Sequence, residues 1–356
     1  MKKLSFILFP LLSLLFSIAC TRDVELKIDS VSPALVLNAS ITPEREVAAF
    51  LSKSWFLMDS VPEYDLPETG VKIDVYVNDT FRGTMSRSDN PADSSEYKGQ
   101  FKLPGCYVQT GDKVRLEADA PGFDPVRGET LIPSQTEIAL LDTARMITSG
   151  SLLFRIYLTF EDKPFDRNYY RLVVERLIEY HKGDQVKWVS SFCDSWGESH
   201  QVSGDQFEVP SPWGIFSLSY DDPVFQPGIP SSGINDGTYC RGVFSDDMFN
   251  GKEYTVTSSF YPINSLETDS VTAIVHYDVH LLSISESYYN YLKVIRNFSI
   301  SLGDAYVDGL LEPAETYSNV VDGFGIVTGY RISTRRITMP FDSFSYEWSN
   351  SYYPFE

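Results

Sequence analysis

The chain has 356 residues, and its 49 acidic and 29 basic side chains give a formal net charge of −20 at pH 7. A surface this acidic repels phosphate groups, so nucleic acid and anionic lipid head groups are excluded as expected partners, because both require clustered Lys and Arg. The 22 Tyr and 23 Phe residues, with Gly and Pro between short apolar runs, favour β-strands.

The N-terminus has the pattern of an export signal followed by a lipid-attachment cysteine. Two lysines precede a charge-free run over residues 4–19, and small residues stand directly before Cys20. Residues 1–19 are therefore predicted to be a lipoprotein signal peptide, and residues 20–33 a lipidated linker. Acyl chains on Cys20 would anchor a soluble body, since each buried methylene contributes about 0.8 kcal/mol. The alternative is an ordinary secretory signal beside a structural cysteine.

Residues 34–135 are predicted to form an Ig-like or transthyretin-like β-sandwich. Strand-length segments cover residues 34–41, 47–54, 71–78, 96–103, 113–120 and 126–133. Their spacing is typical of a sandwich of roughly 100 residues. The Pro-containing stretch at 131–137 marks the expected boundary of this domain.

Residues 136–356 are expected to form a second, larger antiparallel β-rich domain. Further strand patterns cover residues 152–162, 168–180 and 185–192. Residues 193–250 are rich in Gly, Ser, Asp and Pro and are predicted to form long loops, which often carry function.

One α-helix is predicted, at about 284–297. Its apolar residues repeat at intervals of three and four, and Ser283 with Glu286 would form a capping box. The predicted fold class is therefore predominantly all-β, with a single helix in the second domain.

Three cysteines follow Cys20 in the chain. An exported protein meets an oxidising compartment, so one pair and one unpaired thiol are expected. Of the three possible pairings, Cys193 with Cys240 is favoured because both lie in loop-rich stretches. Cys106 follows a turn and could simply be packed.

His276, Asp278 and His280 alternate with apolar residues, so on a strand they would share one face, with neighbours about 6.5–7 Å apart. Imidazoles and a carboxylate are competent zinc ligands. A weak metal site is one hypothesis for these residues. The alternative is that the three polar side chains simply lie on the solvent-exposed face of a strand.

A calcium site is a second metal hypothesis, at Asp246, Asp247 and Asn250 before Gly251. The residues lack the spacing of a calcium loop, and Asn-Gly is a favoured hairpin-turn pair. A turn is therefore the preferred interpretation, and no cofactor is expected.

Trp188, Trp196 and Trp213 lie in or beside the loop-rich middle of the chain. Aromatic faces in loops suit sugar rings or peptide side chains, so these three are weak ligand-binding candidates. The alternative is that they cap the core beneath the loops.

Enzyme motifs are missing from the sequence, so the chain is expected not to be an enzyme. It has no Gly-x-Ser-x-Gly, His-Glu-x-x-His, phosphate-binding loop or Cys-x-x-Cys. The glycines at 323, 325 and 329 do not form a dinucleotide motif, because no helix pattern follows them. A carboxylate pair for glycoside hydrolysis has no local signature, so this chemistry stays open.

Several stretches along the chain form a recognisable series. They are "LVLNASITPE" after the N-terminal cysteine, Tyr97 in "EYKGQF", "GDKVRLEADAPGFDPVRGETLIP", "FSDDMFNGKEYTV" (244–256), "SISESYYNYL" and "EPAETYSNVVDGFGIVTGY" (312–330). Together they resemble the domain of unknown function 4249 family of Gram-negative outer-membrane lipoproteins. The resemblance spans nearly all of the mature chain.

The resemblance implies a protein encoded beside a TonB-dependent transporter, and it supplies no catalytic residue. The expected function is therefore that of a lipid-anchored accessory binding protein of the cell envelope. It would sit on the periplasmic or the cell-surface face of the outer membrane and help the transporter to capture or take up an unidentified ligand. An envelope hydrolase acting on glycan or peptide, and a structural envelope scaffold, are the alternatives.

Overall fold

The structure is a computed structural model, and it describes most of the chain between residues 32 and 340. The described residues are 32–55, 66–67, 69–88, 99–148, 151–164, 166–193, 200–209, 216, 218–225, 242–262, 270–301 and 317–340. The predicted signal peptide and the start of the linker lie outside them. The described part is mostly β, as the sequence predicted.

Eight strands occur among the described residues before residue 135. They are β1 (Leu35–Ile41), β2 (Ala48–Lys53), β3 (Lys72–Val77), β4 (Thr80–Thr84), β5 (Ser86–Arg87), β6 (Gln100–Lys102), β7 (Lys113–Asp119) and β8 (Val126–Leu131). Each of the six predicted segments contains one of these strands. No pattern of residues indicated β4, because its side chains are largely exposed and so do not alternate between apolar and polar.

The second half of the described chain contributes eleven strands and one α-helix. They are β9 (Ile138–Thr148), β10 (Ser151–Glu161), β11 (Tyr169–Lys182), β12 (Gln185–Phe192), β13 (His200–Gly204), β14 (Leu218–Ser219), β15 (Val243–Ser245), β16 (Glu253–Phe260), β17 (Thr272–Ile284), α1 (Glu286–Ser301), β18 (Val320–Val321) and β19 (Phe324–Pro340). The stretch predicted as long loops, 193–250, thus contains the short strands β13, β14 and β15.

The predicted helix is confirmed, but α1 begins two residues later than expected. β17 continues through Ile284, so Ser285 is the capping residue, and its Oγ accepts a hydrogen bond from Tyr288 N at 3.4 Å. The expected capping box at Ser283 is wrong, because Ser283 still belongs to β17 and its Oγ accepts from Thr136 N. In the described part of the chain, none of the helices has both the length and the apolar character of a membrane span.

A large sheet runs through the whole described molecule. Its strand order is β13-β12-β11-β17-β19-β1-β2-β6-β5, and β15 also pairs with β11. β19 pairs in parallel with β1 from Phe324 to Gly329, and it pairs antiparallel with β17 from Tyr330 to Pro340. One strand therefore joins the two halves of the sheet.

Two hydrophobic cores lie against this large sheet. The first fills the space between the β1-β2-β6 region and a five-stranded sheet of order β18-β8-β7-β3-β4. The second lies between β11 and β17 and a four-stranded sheet of order β14-β16-β10-β9. The change of core falls between Ile132 and Ile138, close to the predicted boundary, yet Val320 and Val327 pack in the first core. The C-terminal part of the chain therefore contributes to both cores.

Gly325 allows β19 to lie close to β1. Its φ is +115°, a conformation that L side chains rarely adopt, and an added Cβ would lie 2.1 Å from the carbonyl oxygen of Leu37. We expect Gly325→Ala to lower the free energy of unfolding by about 2 kcal/mol or more, measured by urea denaturation.

Gly105→Ala is the matched control for this substitution. Gly105 also has a positive φ, of +74°, but an added Cβ would meet no atom within 4 Å. Only the backbone cost of about 1 kcal/mol is expected there. Equal losses in the two variants would contradict a steric requirement at the contact between β19 and β1.

Candidate functional site

The candidate site lies on the side of the large sheet that faces away from the second core. Along β11, Val174, Ile178 and Tyr180 point into that core, whereas Glu175 and Glu179 point to the opposite side. We call this opposite side the outer face. Its residues are Arg171, Val173, Glu175 and Glu179 of β11, Trp188, Ser190 and Phe192 of β12, His276, Asp278, His280 and Leu282 of β17, and Tyr330, Ile332, Thr334, Arg336 and Thr338 of β19.

An ion pair stands at the centre of the outer face. Arg336 donates to both carboxylate oxygens of Asp278, at 2.6 Å from Nε and 2.7 Å from Nη2. The Asp278 side chain is only 10% exposed. A bidentate pair of this kind is strong and directional, so it fixes both side chains on the sheet.

Two imidazoles flank this ion pair, and each bridges β19 to β11. His280 Nδ1 lies 2.8 Å from Thr334 Oγ1, and His280 Nε2 lies 3.6 Å from Glu175 Oε2. His276 Nε2 lies 3.4 Å from Glu179 Oε2. His280, together with the hydroxyl of Ser190, holds the pKa of Glu175 below its ordinary value. The polar side chains are therefore pre-organised by one another.

The structure places all three predicted metal-site residues, His276, Asp278 and His280, on one face, as their spacing indicated. Each of them, however, contacts a protein partner. Within the described ranges, no group of three or more His, Cys, Asp and Glu side chains is arranged to hold a metal ion. The zinc hypothesis therefore gains no support from this geometry.

The residues of the calcium hypothesis serve a turn. Asp246 is 1% exposed, and its Oδ2 accepts hydrogen bonds from Asn168 N and Asn250 Nδ2, both at 2.9 Å. Asp247 forms an ion pair with Arg167 at 2.8 Å. These contacts agree with the preferred interpretation of this stretch as a turn.

Trp188 is the one predicted aromatic candidate that falls within the described residues. Its ring stacks on His276, with ring centroids 5.4 Å apart and an interplanar angle of 25°. Trp196 and Trp213 lie outside the described part of the chain. The structure thus brings one ligand-binding candidate and the three metal candidates onto the same surface.

Cys193 directly follows β12 and lies beside β11. It is buried, and its backbone N–H donates to Val174 O at 3.0 Å. Val174 belongs to β11, and two residues earlier on β11 Leu172 N donates to Gly242 O at 2.8 Å. The predicted partner, Cys240, lies outside the described residues, as does Cys20, so the disulfide stays a prediction.

A cavity of about 490 Å³ opens at the end of the outer face nearest α1. Its floor is apolar and consists of Val173, Leu282 and Ile332, one residue from each of three strands. Of these three floor residues, Val173 and Leu282 are buried. Sites of this size and apolar character bind small molecules in many proteins.

Aromatic side chains form the walls of this cavity. They are Phe192, which is 40% exposed, Tyr288 of α1 and Tyr330. The hydroxyl of Tyr288 accepts a hydrogen bond from Arg171 Nη1 at 3.1 Å. Arg45 donates to the hydroxyl of Tyr330.

Charged side chains stand at two ends of the same cavity, Arg171 at one and Glu175 at the other, and His280 lines it opposite Val173. Sequence reasoning missed Arg171, Tyr288 and Tyr330 as site residues. For Arg171, the available signal was that it and Glu175 lie four residues apart on one predicted strand, with three apolar residues between them.

A second cavity, of about 820 Å³, lies where the residues after β8 approach the start of α1. Several of its polar groups already bind one another. Lys113 forms an ion pair with Glu129 at 3.0 Å, and Tyr169 Oη donates to Glu286 Oε1 at 3.2 Å. The cavity on the outer face, with opposite charges at its two ends, is the stronger candidate for ligand binding.

Two carboxylates of the outer face, Glu175 and Asp278, are direct cross-strand neighbours. A glycosidase that used this carboxylate pair would need one of the two acids to have a raised pKa. Here the pKa of Glu175 is lowered, and Asp278 is bound by Arg336. Burial raises the pKa of Asp162, but its carboxylate accepts from Tyr170 Oη and Gly251 N on the core side. The arrangement of the outer face therefore suits binding better than acid–base catalysis.

The lowered pKa of Glu175 predicts a pH-dependent contribution to stability. In the unfolded chain the carboxyl group titrates near its ordinary pKa of 4.5, above its pKa in the folded protein. The unfolded state therefore binds more protons between the two values, and stability rises with pH there. We expect Glu175→Gln to lower the free energy of unfolding by about 1–2 kcal/mol at neutral pH. This deficit should shrink as the pH falls through the folded pKa.

Urea denaturation at several pH values measures this difference. Glu161→Gln, at an exposed position of β10, is the matched control. The same pH dependence in both variants would show that the contacts of Glu175 with His280 and Ser190 do not stabilise its charged form.

A search of the curated proteins finds no match. The sequence profile of the family described as Domain of unknown function (DUF4249) matches residues 21–336. Because the match covers most of its length, the chain belongs to the DUF4249 family.

Proposed function

We propose that this protein is a lipid-anchored accessory binding protein of the outer membrane. It captures a ligand in the cavity of its outer face and works with a TonB-dependent transporter in the uptake of that ligand. The observation that carries the proposal is the cavity of about 490 Å³, with an apolar floor, aromatic walls and charged groups at both ends.

The construction of the cavity supports reversible ligand binding. Three neighbouring strands supply its floor, so its shape is set by the hydrogen bonds of the sheet and needs little reorganisation when a ligand enters. Tyr and Phe walls provide contact area with few rotatable bonds. The polar groups keep their positions through bonds to Ser190, Thr334 and Tyr288.

The N-terminal sequence supports the anchor. Cys20 follows a charge-free run that ends in small residues, and acyl chains on its thiol and on a new N-terminus would hold the body at a membrane. The resemblance to outer-membrane lipoproteins suggests that the membrane is the outer one and that the partner is a TonB-dependent transporter.

An envelope hydrolase and a structural scaffold are the alternatives. The hydrolase gains no support from Glu175, whose pKa is lowered, or from Asp278, whose two carboxylate oxygens are bound by Arg336. A scaffold would not need a cavity in which an aromatic side chain such as Phe192 is left 40% exposed.

Fractionation and affinity purification test the proposal together. We expect full-length protein to enter the membrane fraction, and Cys20→Ala to lose most of its membrane attachment because the acyl chains have no attachment site. From detergent-solubilised outer membranes, the unaltered protein should recover a TonB-dependent transporter in near-stoichiometric amount, identified by mass spectrometry.

Cys106→Ala is the matched control, because it removes a cysteine that lies beside the first core. It should keep both the membrane attachment and the transporter. Membrane attachment of Cys20→Ala would disprove the anchor, and purification without a transporter would disprove the partnership.

A further inference from the structure

We propose that the end of the first core at which β1 begins rests on a bilayer of zwitterionic lipid. Val321 and Phe324 insert among the lipid head groups, and Trp55 belongs to the same end of the body. This inference rests on the proposed function, because it takes acyl chains on Cys20 as the anchor. It adds the surface of the body that faces the membrane.

The turn between β18 and β19 closes this end of the first core. An added Cβ at Gly323 would lie 2.6 Å from the carbonyl oxygen of Leu35 and 2.5 Å from Cγ1 of Val126. Leu35 is the first residue of β1, and Val126 is the first residue of β8. The turn therefore packs directly against the start of both strands, which fixes its position.

Two large apolar side chains flank this turn and are exposed to solvent. Val321 and Phe324 are each 50% exposed. Phe324 is the register partner of Val36, the second residue of β1, and Val321 is the register partner of Arg127 on β8. Exposed apolar side chains that are grouped in one place mark a contact with a protein or a membrane.

Trp55 stands where the N-terminal segment enters β1. Ala34 and Ser54 bind each other through two hydrogen bonds, from Ser54 N to Ala34 O at 2.8 Å and from Ala34 N to Ser54 Oγ at 3.0 Å. Trp55 follows Ser54 directly and is half-buried. Trp is enriched at membrane–water interfaces, where its ring lies at the level of the head groups.

The length of the N-terminal segment favours the same end of the body. Twelve residues separate Cys20 from Ser32, the first described residue, and a chain of this length spans at most about 40 Å. The 17 residues of β19 run about 55 Å away from this end. A membrane contact at the Pro340 end of β19 would need most of the reach of the tether, whereas a contact at the start of β1 needs little of it.

The charges at this end suit zwitterionic lipid. Lys72 and Asp119 form an ion pair at 3.9 Å, and Arg127 stands beside Val321. Both signs of charge are therefore present here, although the whole chain carries a formal charge of −20. A surface with both signs avoids the repulsion that a uniformly acidic surface meets from lipid phosphates.

A second protein fits this end less well than a bilayer does. A stable protein–protein interface buries about 800 Å² on each partner, whereas a turn of four residues offers only a small part of that area. A bilayer needs no complementary shape. An apolar side chain that enters the boundary between head groups and acyl chains is stabilised because it leaves water.

This placement also sets the height of the outer-face cavity above the membrane. Tyr330 lines that cavity and follows Phe324 by six residues along β19, which is about 20 Å. The cavity then opens about 20 Å from the lipid surface, near a transporter embedded in the same membrane.

Photo-cross-linking of the full-length protein in vesicles of palmitoyl-oleoyl-phosphatidylcholine tests this inference. The variants are Phe324→p-benzoylphenylalanine and, as the matched control, Phe192→p-benzoylphenylalanine. Phe192 is 40% exposed, and its register through Glu175 and Asp278 to Arg336 places it about 40 Å from Phe324 along the strands. We expect about tenfold more phospholipid adduct from the Phe324 variant, measured by mass spectrometry, because only its ring leaves water for the lipid.

A further pair of variants tests whether the two apolar side chains insert together. In protein with Val321→p-benzoylphenylalanine, the additional substitution Phe324→Asp should lower the yield of lipid adduct about tenfold, because a carboxylate resists leaving water. Phe81→Asp is the matched control. Phe81 is 54% exposed on β4, at the other edge of the five-stranded sheet from β18, so this substitution should leave the yield unchanged.

Three results would overturn the inference. They are equal lipid adduct from the Phe324 and Phe192 variants, an adduct with a second copy of the chain in place of lipid, and acylated protein without a lipid adduct at Phe324. Mass spectrometry of the first residue in the same sample separates this failure from failure of the proposed function. An unmodified first residue would disprove the anchor itself, whereas acylated protein without the adduct disproves only the membrane-facing surface.

Discussion

The structure depends on the way in which β19 pairs with two different partners. Its first residues add in parallel to β1, and its remaining residues add antiparallel to β17. In the part of the chain that the structure describes, this is the one parallel pairing, and it joins residues almost 300 positions apart in sequence, as in Val36 with Phe324. Two cores thereby share one sheet.

The close approach of β19 to its neighbours requires small residues at fixed places. An added Cβ at Gly325 would meet the backbone of Leu37, and one at Gly329 would meet the carbonyl oxygen of Leu131 in β8. Gly329 also exchanges hydrogen bonds with Ser285, the residue that caps α1. The same few residues of β19 thus position the first core, the second core and the helix. As a result, Ser40 of β1 and Tyr288 of α1 line one cavity with residues of β11 and β17.

Local patterns in the sequence predicted much of the fold. Alternating apolar residues identified β10, β11 and β12, but not β9 or the longest strand, β19. The spacing of His276, Asp278 and His280 correctly predicted their common face. The helix was evident from its apolar repeat, although its start was misplaced because β17 extends to Ile284. Exposed β4 had no such pattern.

The candidate site could not be assembled from local patterns. Arg171, Leu282 and Ile332 meet only because β11, β17 and β19 pair in one register over more than 150 residues of sequence. The participation of β19 in both cores was equally hidden, since its glycines suggested a turn or close packing without naming the partner strand. Long-range pairing, which single-residue preferences do not encode, decided both features.

Native-state hydrogen exchange measured against denaturant tests the central claim, that β19 makes the two cores one cooperative unit. If β19 joins them, the amides of β1, β17 and both halves of β19 should exchange with one common free energy of opening, close to that of global unfolding. If β1 and the first half of β19 open with a much lower free energy while β17 stays protected, the two cores unfold separately. That result would contradict the account.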